Sequence, residues 1–205
     1  MGRRITIALS GVVGAGKSSA AKAIVHSLRT AGYAAEYVRF QEFTTLRALT
    51  RSARTSPEGS TIRGMNYQRR SLTVITAAAY GARTLLFRWR LMRWSKATVL
   101  VFDRYFYDSL VHYDLEMAGK PLALLLRMIP RPTIASVLLI QDTTVLERRA
   151  YSMEYAKQAA QAYAELPNRI HGLLVVQTDE VRSIRNLADT IVAQVLTKTS
   201  SGRHE

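Results

Sequence analysis

Apolar positions along this chain fall into two kinds of run. Short, continuous, β-branched stretches occupy residues 5–10, 37–40, 98–102, 137–140 and 173–177, and longer segments of helical length and composition lie at 17–31, 67–94, 105–118, 144–166 and 181–197. Strands covered by helices on both sheet faces read as unbroken apolar runs, whereas half-exposed strands alternate. Strand and helix therefore take turns, which predicts an α/β fold: a doubly wound five-stranded parallel sheet with flanking helices. Gly32 stands where a helix C-terminal glycine belongs, and Pro130 with Pro132 punctuates the approach to the fourth strand. Residues 52–64, rich in Ser, Thr, Gly, Pro and Arg, read as a mobile loop, and 199–205 as a frayed, flexible tail. Nothing else divides the chain, so residues 1–198 are expected to form a single domain.

Composition narrows the classes. With 205 residues, 48% of them hydrophobic, the chain can bury a continuous core. Its apolar runs fall short of the roughly 20 residues a membrane-spanning helix requires. Arg3 and Arg4 lead straight into a strand-like segment instead of a long apolar stretch, so a cytoplasmic protein without a secretory signal is expected. The absence of cysteine excludes disulfides, thiolate metal ligation and thiol catalysis. Lys and Arg number 29 against 15 Asp and Glu, a formal net charge of +14. That balance exceeds what a small anion site needs and leaves open a contact with nucleic acid or an anionic membrane surface, or simply a solubilising exterior. Arg83, Arg88, Arg90, Arg93 and Lys96, interleaved with Trp89 and Trp94, are the densest basic and aromatic stretch.

The most informative segment is Gly11-Val12-Val13-Gly14-Ala15-Gly16-Lys17-Ser18, which fits G-x-x-x-x-G-K-[ST] between a predicted strand and a predicted helix. Glycines let the backbone curl so that successive N–H groups face a phosphate chain, and the following helix turns its positive end to the same place. Lys17 would reach the β- and γ-phosphates of ATP, and the Ser18 hydroxyl would ligate Mg²⁺. The third strand ends in Asp103-Arg104-Tyr105, which puts a carboxylate and a guanidinium at the carboxyl edge of the sheet, where ligands of such folds bind. Asp103 is expected to orient the metal's water shell and Arg104 to clamp an acceptor phosphate.

Through Gly11–Ser19, Asp103-Arg104-Tyr105 and Leu146-Glu147-Arg148-Arg149, the chain resembles the thymidylate kinase family. The resemblance implies transfer of the γ-phosphoryl of Mg·ATP to a nucleoside monophosphate such as dTMP, with a homodimer as the assembly. It places Ser19 in the phosphate loop and makes Arg39, Tyr80, Arg83 and Tyr105 acceptor contacts beside Asp103 and Arg104. Arg148 and Arg149 follow Thr144-x-x-Glu147, which has capping-box spacing, so they start a helix resembling a kinase lid that carries arginine to the transferring group. Two departures stand out. Val13 replaces the family's acidic loop residue, and Arg39-Phe40-Gln41-Glu42-Phe43-Thr44 stands in place of R-E-P-G-G. Glu42 lies where similar deoxynucleoside kinases carry a catalytic glutamate. It would serve as base if the acceptor were a hydroxyl of a deoxynucleoside, sugar or other small molecule. A non-catalytic nucleotide-binding protein is the third reading.

Overall fold

The computed structural model describes residues 4–40, 73–93, 97–112, 119–139, 153–177 and 181–201. Strands β1 (Ile5–Gly11), β2 (Ala35–Arg39), β3 (Val99–Asp103), β4 (Ile134–Leu139) and β5 (Leu173–Gln177) form one sheet in the order β2-β3-β1-β4-β5. All its pairings are parallel, with Leu9 opposite both Asp103 and Ser136. The described helices are α1 (Lys17–Thr30), α2 (Val74–Arg93), α3 (Tyr107–Leu110), α4 (Gly119–Met128), α5 (Met153–Arg169) and α6 (Val181–Ser201). The five strands appear where the apolar runs lie, with β2 and β4 beginning earlier than their β-branched centres suggest. The tail expected from residue 199 is helical through Ser201.

Each sheet face buries its own core. Ile7, Leu9, Val99 and Val101 point toward α1 and α6, where Ala20, Ile24, Leu28, Leu187, Ile191 and Val195 meet them. Ala8, Leu100 and Phe102 point toward α2, α3, α4 and α5, against Phe87, Leu110, Leu125 and Leu166. A residue on a strand alternates sides, so the unbroken apolar runs supply both cores at once. Helix α1 ends at Ala31 with Gly32 at φ 84°, where Tyr33 N donates to Leu28 O at 3.0 Å and Gly32 N to Arg29 O at 3.0 Å. This is the paired closure that a C-terminal glycine permits.

Of the helix expected over 105–118, the described part, 105–112, is built differently. Helix α3 spans four residues, and α4 begins at Gly119 with Pro121 in its first turn, a position that tolerates a missing N–H. Leu122 and Leu125 of α4 are buried. The sequence pattern marks 122–126 as apolar without marking it as a helix, because the run is too short to display a helical period.

Candidate functional site

In the order β2-β3-β1-β4-β5 the strands following β1 are added first on one side of it and then on the other, and the carboxyl edge at such a switch is where α/β sheets hold ligands. The loop leaving β1 occupies that edge. Gly11, Gly14 and Gly16 have φ of 145°, 91° and 73°. Such angles curl the chain into a concavity of backbone N–H groups at the start of α1. Gly16 has a second requirement, because a Cβ there would meet Ile184 Cδ1 of α6 at 3.0 Å. Lys17 is 5% exposed, and its Nζ donates to Gly11 O at 2.7 Å and Val12 O at 2.5 Å, so its charge bridges the two arms of the loop. Val12 and Ala15 are buried in the flanking cores, Val13 is half-buried, and Ser18 and Ser19 are exposed at the loop mouth.

Strand β3 brings Asp103 to the same edge. Its Oδ2 accepts from Ser18 Oγ at 2.6 Å and from Tyr37 Oη at 2.7 Å. Register explains the meeting: Asp103 pairs with Leu9 on β1 and Arg39 on β2, so Ser18 and Tyr37 approach it from both sides. Burial, and then Asp103 itself, raises the Tyr37 phenol above its ordinary range, while Arg39 nearby acts in the opposite direction. Sequence reasoning paired Ser18 with Asp103 by analogy with metal sites but missed Tyr37, which lies inside a strand run and reads as a packing residue.

Arg104 has φ 71°, a left-handed conformation that costs a non-glycine residue about 1 kcal/mol. The turn is held by Asp108, a residue the sequence reading left out. Tyr105 N donates to Asp108 Oδ2 at 2.9 Å while Asp108 N donates to Tyr105 O at 3.1 Å, a reciprocal closure of capping-box type. The other oxygen, Oδ1, accepts from Tyr163 Oη of α5 at 2.8 Å and from Gly11 N at 3.4 Å, with Arg104 Nη1 at 3.9 Å. One 7%-exposed carboxylate thus ties the β1–α1 loop, the Arg104 turn and helix α5 together. The signal in the sequence was an acid three residues after Tyr105, without the Ser or Thr that makes a cap conspicuous.

The remaining expected residues separate. Tyr105, expected at the acceptor, is instead a core residue at 2% exposure, donating its hydroxyl to Pro130 O at 2.5 Å among the rings of Phe40, Phe87, Phe102, Phe106 and Tyr107. Arg83 of α2 stacks its guanidinium over Phe40 at 5.2 Å from the ring centroid, just beyond the end of β2. Partial burial lowers its pKa from the ordinary arginine value. Tyr80 is one turn earlier on α2 and half-buried, and Arg39 is exposed at the end of β2. Glu42, Arg148 and Arg149 lie outside the described residues. The basic stretch on α2 does not form one charged face. Arg90 is buried, Arg88 Nη2 donates to Met128 O at 3.3 Å, and Arg93 stacks on Trp89 at 5.0 Å. Among the described residues no helix is long and apolar enough to cross a membrane.

No family model matches the chain, and no curated protein matches it. Among solved structures, it is similar to the crystal structure of thymidylate kinase from Ehrlichia chaffeensis, with a TM-score of 0.57 and 13% identity, over 95% of this chain and 100% of that one. At that identity the likeness is one of fold: a five-stranded parallel α/β sheet with flanking helices, as in that kinase.

Proposed function

We propose that the protein transfers the γ-phosphoryl group of Mg·ATP to a small acceptor, most simply a nucleoside monophosphate such as dTMP. The observation that carries this reading is the 2.6 Å contact between Ser18 Oγ and Asp103 Oδ2 at the mouth of a glycine-curled loop containing Lys17. An adjacent hydroxyl and carboxylate are hard oxygen donors that fit Mg²⁺, a cation that keeps several waters and takes few protein ligands. Bound there, Mg²⁺ would neutralise charge on the β- and γ-phosphates. Similarity of fold to a thymidylate kinase supports the choice of reaction class.

In this reading the loop N–H groups hold the β-phosphate, and Lys17 exchanges its two carbonyl acceptors for phosphate oxygens. An acceptor phosphate oxygen bonds to Pγ as the bond from Pγ to the β–γ bridging oxygen breaks, leaving ADP. A monophosphate acceptor is already an anion, so alignment and charge screening suffice and no base is needed. Arg104 is exposed enough to meet that acceptor, and Arg83 stands across the end of β2 from it. The left-handed turn at Arg104 and its anchor at Asp108 fix where that guanidinium starts. Arg148 and Arg149 would add charge from the segment preceding α5.

A second reading rests on Val13. With no carboxylate at that loop position, the acceptor could be a hydroxyl whose proton passes to Glu42 as its oxygen attacks Pγ. The deciding experiment is ADP release from Mg·ATP across dTMP, other monophosphates, nucleosides and sugars, with Lys17→Ala as control. Turnover with monophosphates that survives Glu42→Gln supports the first reading. Turnover confined to hydroxyl acceptors and abolished by Glu42→Gln supports the second, and ATP binding without turnover on any acceptor refutes both.

A further inference from the structure

A cavity of about 310 Å³ opens at the opposite edge of the sheet, beside the first residues of β4 and β5. Its apolar lining includes Ile129 and Leu173, and its polar side chains come from Tyr107, Arg131, Thr133, Arg169 and His171. Among the described residues no carboxylate lines it. Arg131, Arg169 and His171 are exposed around its rim, whereas Tyr107 is 3% exposed, and among the described residues nothing hydrogen-bonds its hydroxyl. The ring is buried while the residue lines the cavity, so its hydroxyl is a ready donor to a ligand there. Among the described lining residues the two charged groups are the guanidinium groups of Arg131 and Arg169, and guanidinium and phenol together supply donors suited to a tetrahedral oxyanion. The volume is at the small end of the range for organic ligands, and the apolar lining asks for more than an inorganic ion.

We propose that this cavity is a second binding site, distinct from the phosphate loop, for a small organic phosphate monoester. Its phosphate lies between Arg131, Arg169 and the Tyr107 hydroxyl, and its compact apolar body rests on Ile129 and Leu173. The loop opens at the carboxyl edge of β1, so the two sites do not overlap. Occupancy also bears on the loop, because Tyr107 adjoins Asp108 and Arg169 ends the helix that carries Tyr163, the two residues joined beside Gly11.

Titration calorimetry with phenyl phosphate, on the full chain saturated with a non-hydrolysable Mg·ATP analogue, tests the site. One equivalent is expected to bind, more tightly than inorganic phosphate does. Arg131→Glu with His171→Gln, both at exposed positions, is expected to weaken binding at least about tenfold, the order a lost charge-assisted contact implies. Lys120→Glu, an exposed substitution on α4, is expected to leave it unchanged. Tyr107→Phe offers a second variant that keeps the cavity's charge and shape, and weaker binding there is expected too. Absence of binding, displacement by the ATP analogue, inorganic phosphate binding equally well, or affinity indifferent to the cavity variants would each overturn the proposal. So would binding confined to anionic phospholipid vesicles.

Discussion

Asp108 offers the most demanding test of how this site is held. Its two carboxylate oxygens receive the backbone N–H groups of Gly11 and Tyr105 and the Tyr163 hydroxyl, from three different parts of the chain. Asp108→Asn keeps the volume but replaces one oxygen with an NH₂ donor, which must face one of these donors. Hydrogen bonds to charged groups contribute about 1.5–3 kcal/mol each, so a loss of about 2 kcal/mol is expected. At about 2–4 °C per kcal/mol for a chain of this size, the melting temperature should fall by about 4–8 °C. Asp108→Ala strands all three donors and should cost about 4 kcal/mol. Urea unfolding followed by circular dichroism measures both. Pairing Asp108→Asn with Tyr163→Phe tests whether the effect passes through this contact, and a coupling of about 1 kcal/mol is expected. An Asn variant within about 0.5 kcal/mol of the parent, or strict additivity with Tyr163→Phe, would show that the carboxylate does not hold these elements together.

Three further outcomes follow from the geometry. Ser18→Ala should abolish the Mg²⁺ dependence of ATP-analogue binding in calorimetry while changing stability by less than about 1 kcal/mol, because Tyr37 still holds Asp103; undiminished Mg²⁺ dependence would separate Ser18 from the metal. Gly16→Ala meets both the left-handed backbone and Ile184, and should lower unfolding free energy by about 1–2 kcal/mol in the same urea assay. Burial pushes the Tyr107 phenol from 10.0 up to about 12. A folded-state value above the unfolded one gives stability that is complete below about pH 10 and is lost as pH rises through about 12. The difference corresponds to about 3 kcal/mol. The difference between ultraviolet titrations of the parent and Tyr107→Phe should therefore show its phenolate step near pH 12 and none near pH 10.

The sheet was legible because a parallel sheet advertises itself: its strands are buried on both faces and leave continuous apolar runs. Helix α4 was not, since ten residues containing three consecutive leucines show no period that separates helix from strand. Within the site, Lys17, Ser18 and Asp103 could be named in advance because their chemistry is tied to a local motif and its place at a strand end. Tyr37, Asp108 and Tyr163 could not, because each acquires its role from a partner 55 to 97 residues away. Tyr105 is the reverse case: it sits inside the motif, yet the rings of Phe40, Phe87, Phe102, Phe106 and Tyr107 surround it and bury it.

The strand order also governs when the phosphate loop can exist. Strand β1 is made first, but its hydrogen-bonding neighbours are residues 99–103 on one side and 134–138 on the other. Such distant pairings impose chain-closure entropy before any contact repays it, so they form slowly and late. During synthesis Gly11 to Ser18 must therefore emerge long before the sheet edge that shapes them. The loop's glycines stay unconstrained until residue 138 has left the ribosome. Under the proposed function, nucleotide binding would report completion of the central sheet and favour the assembled state by mass action.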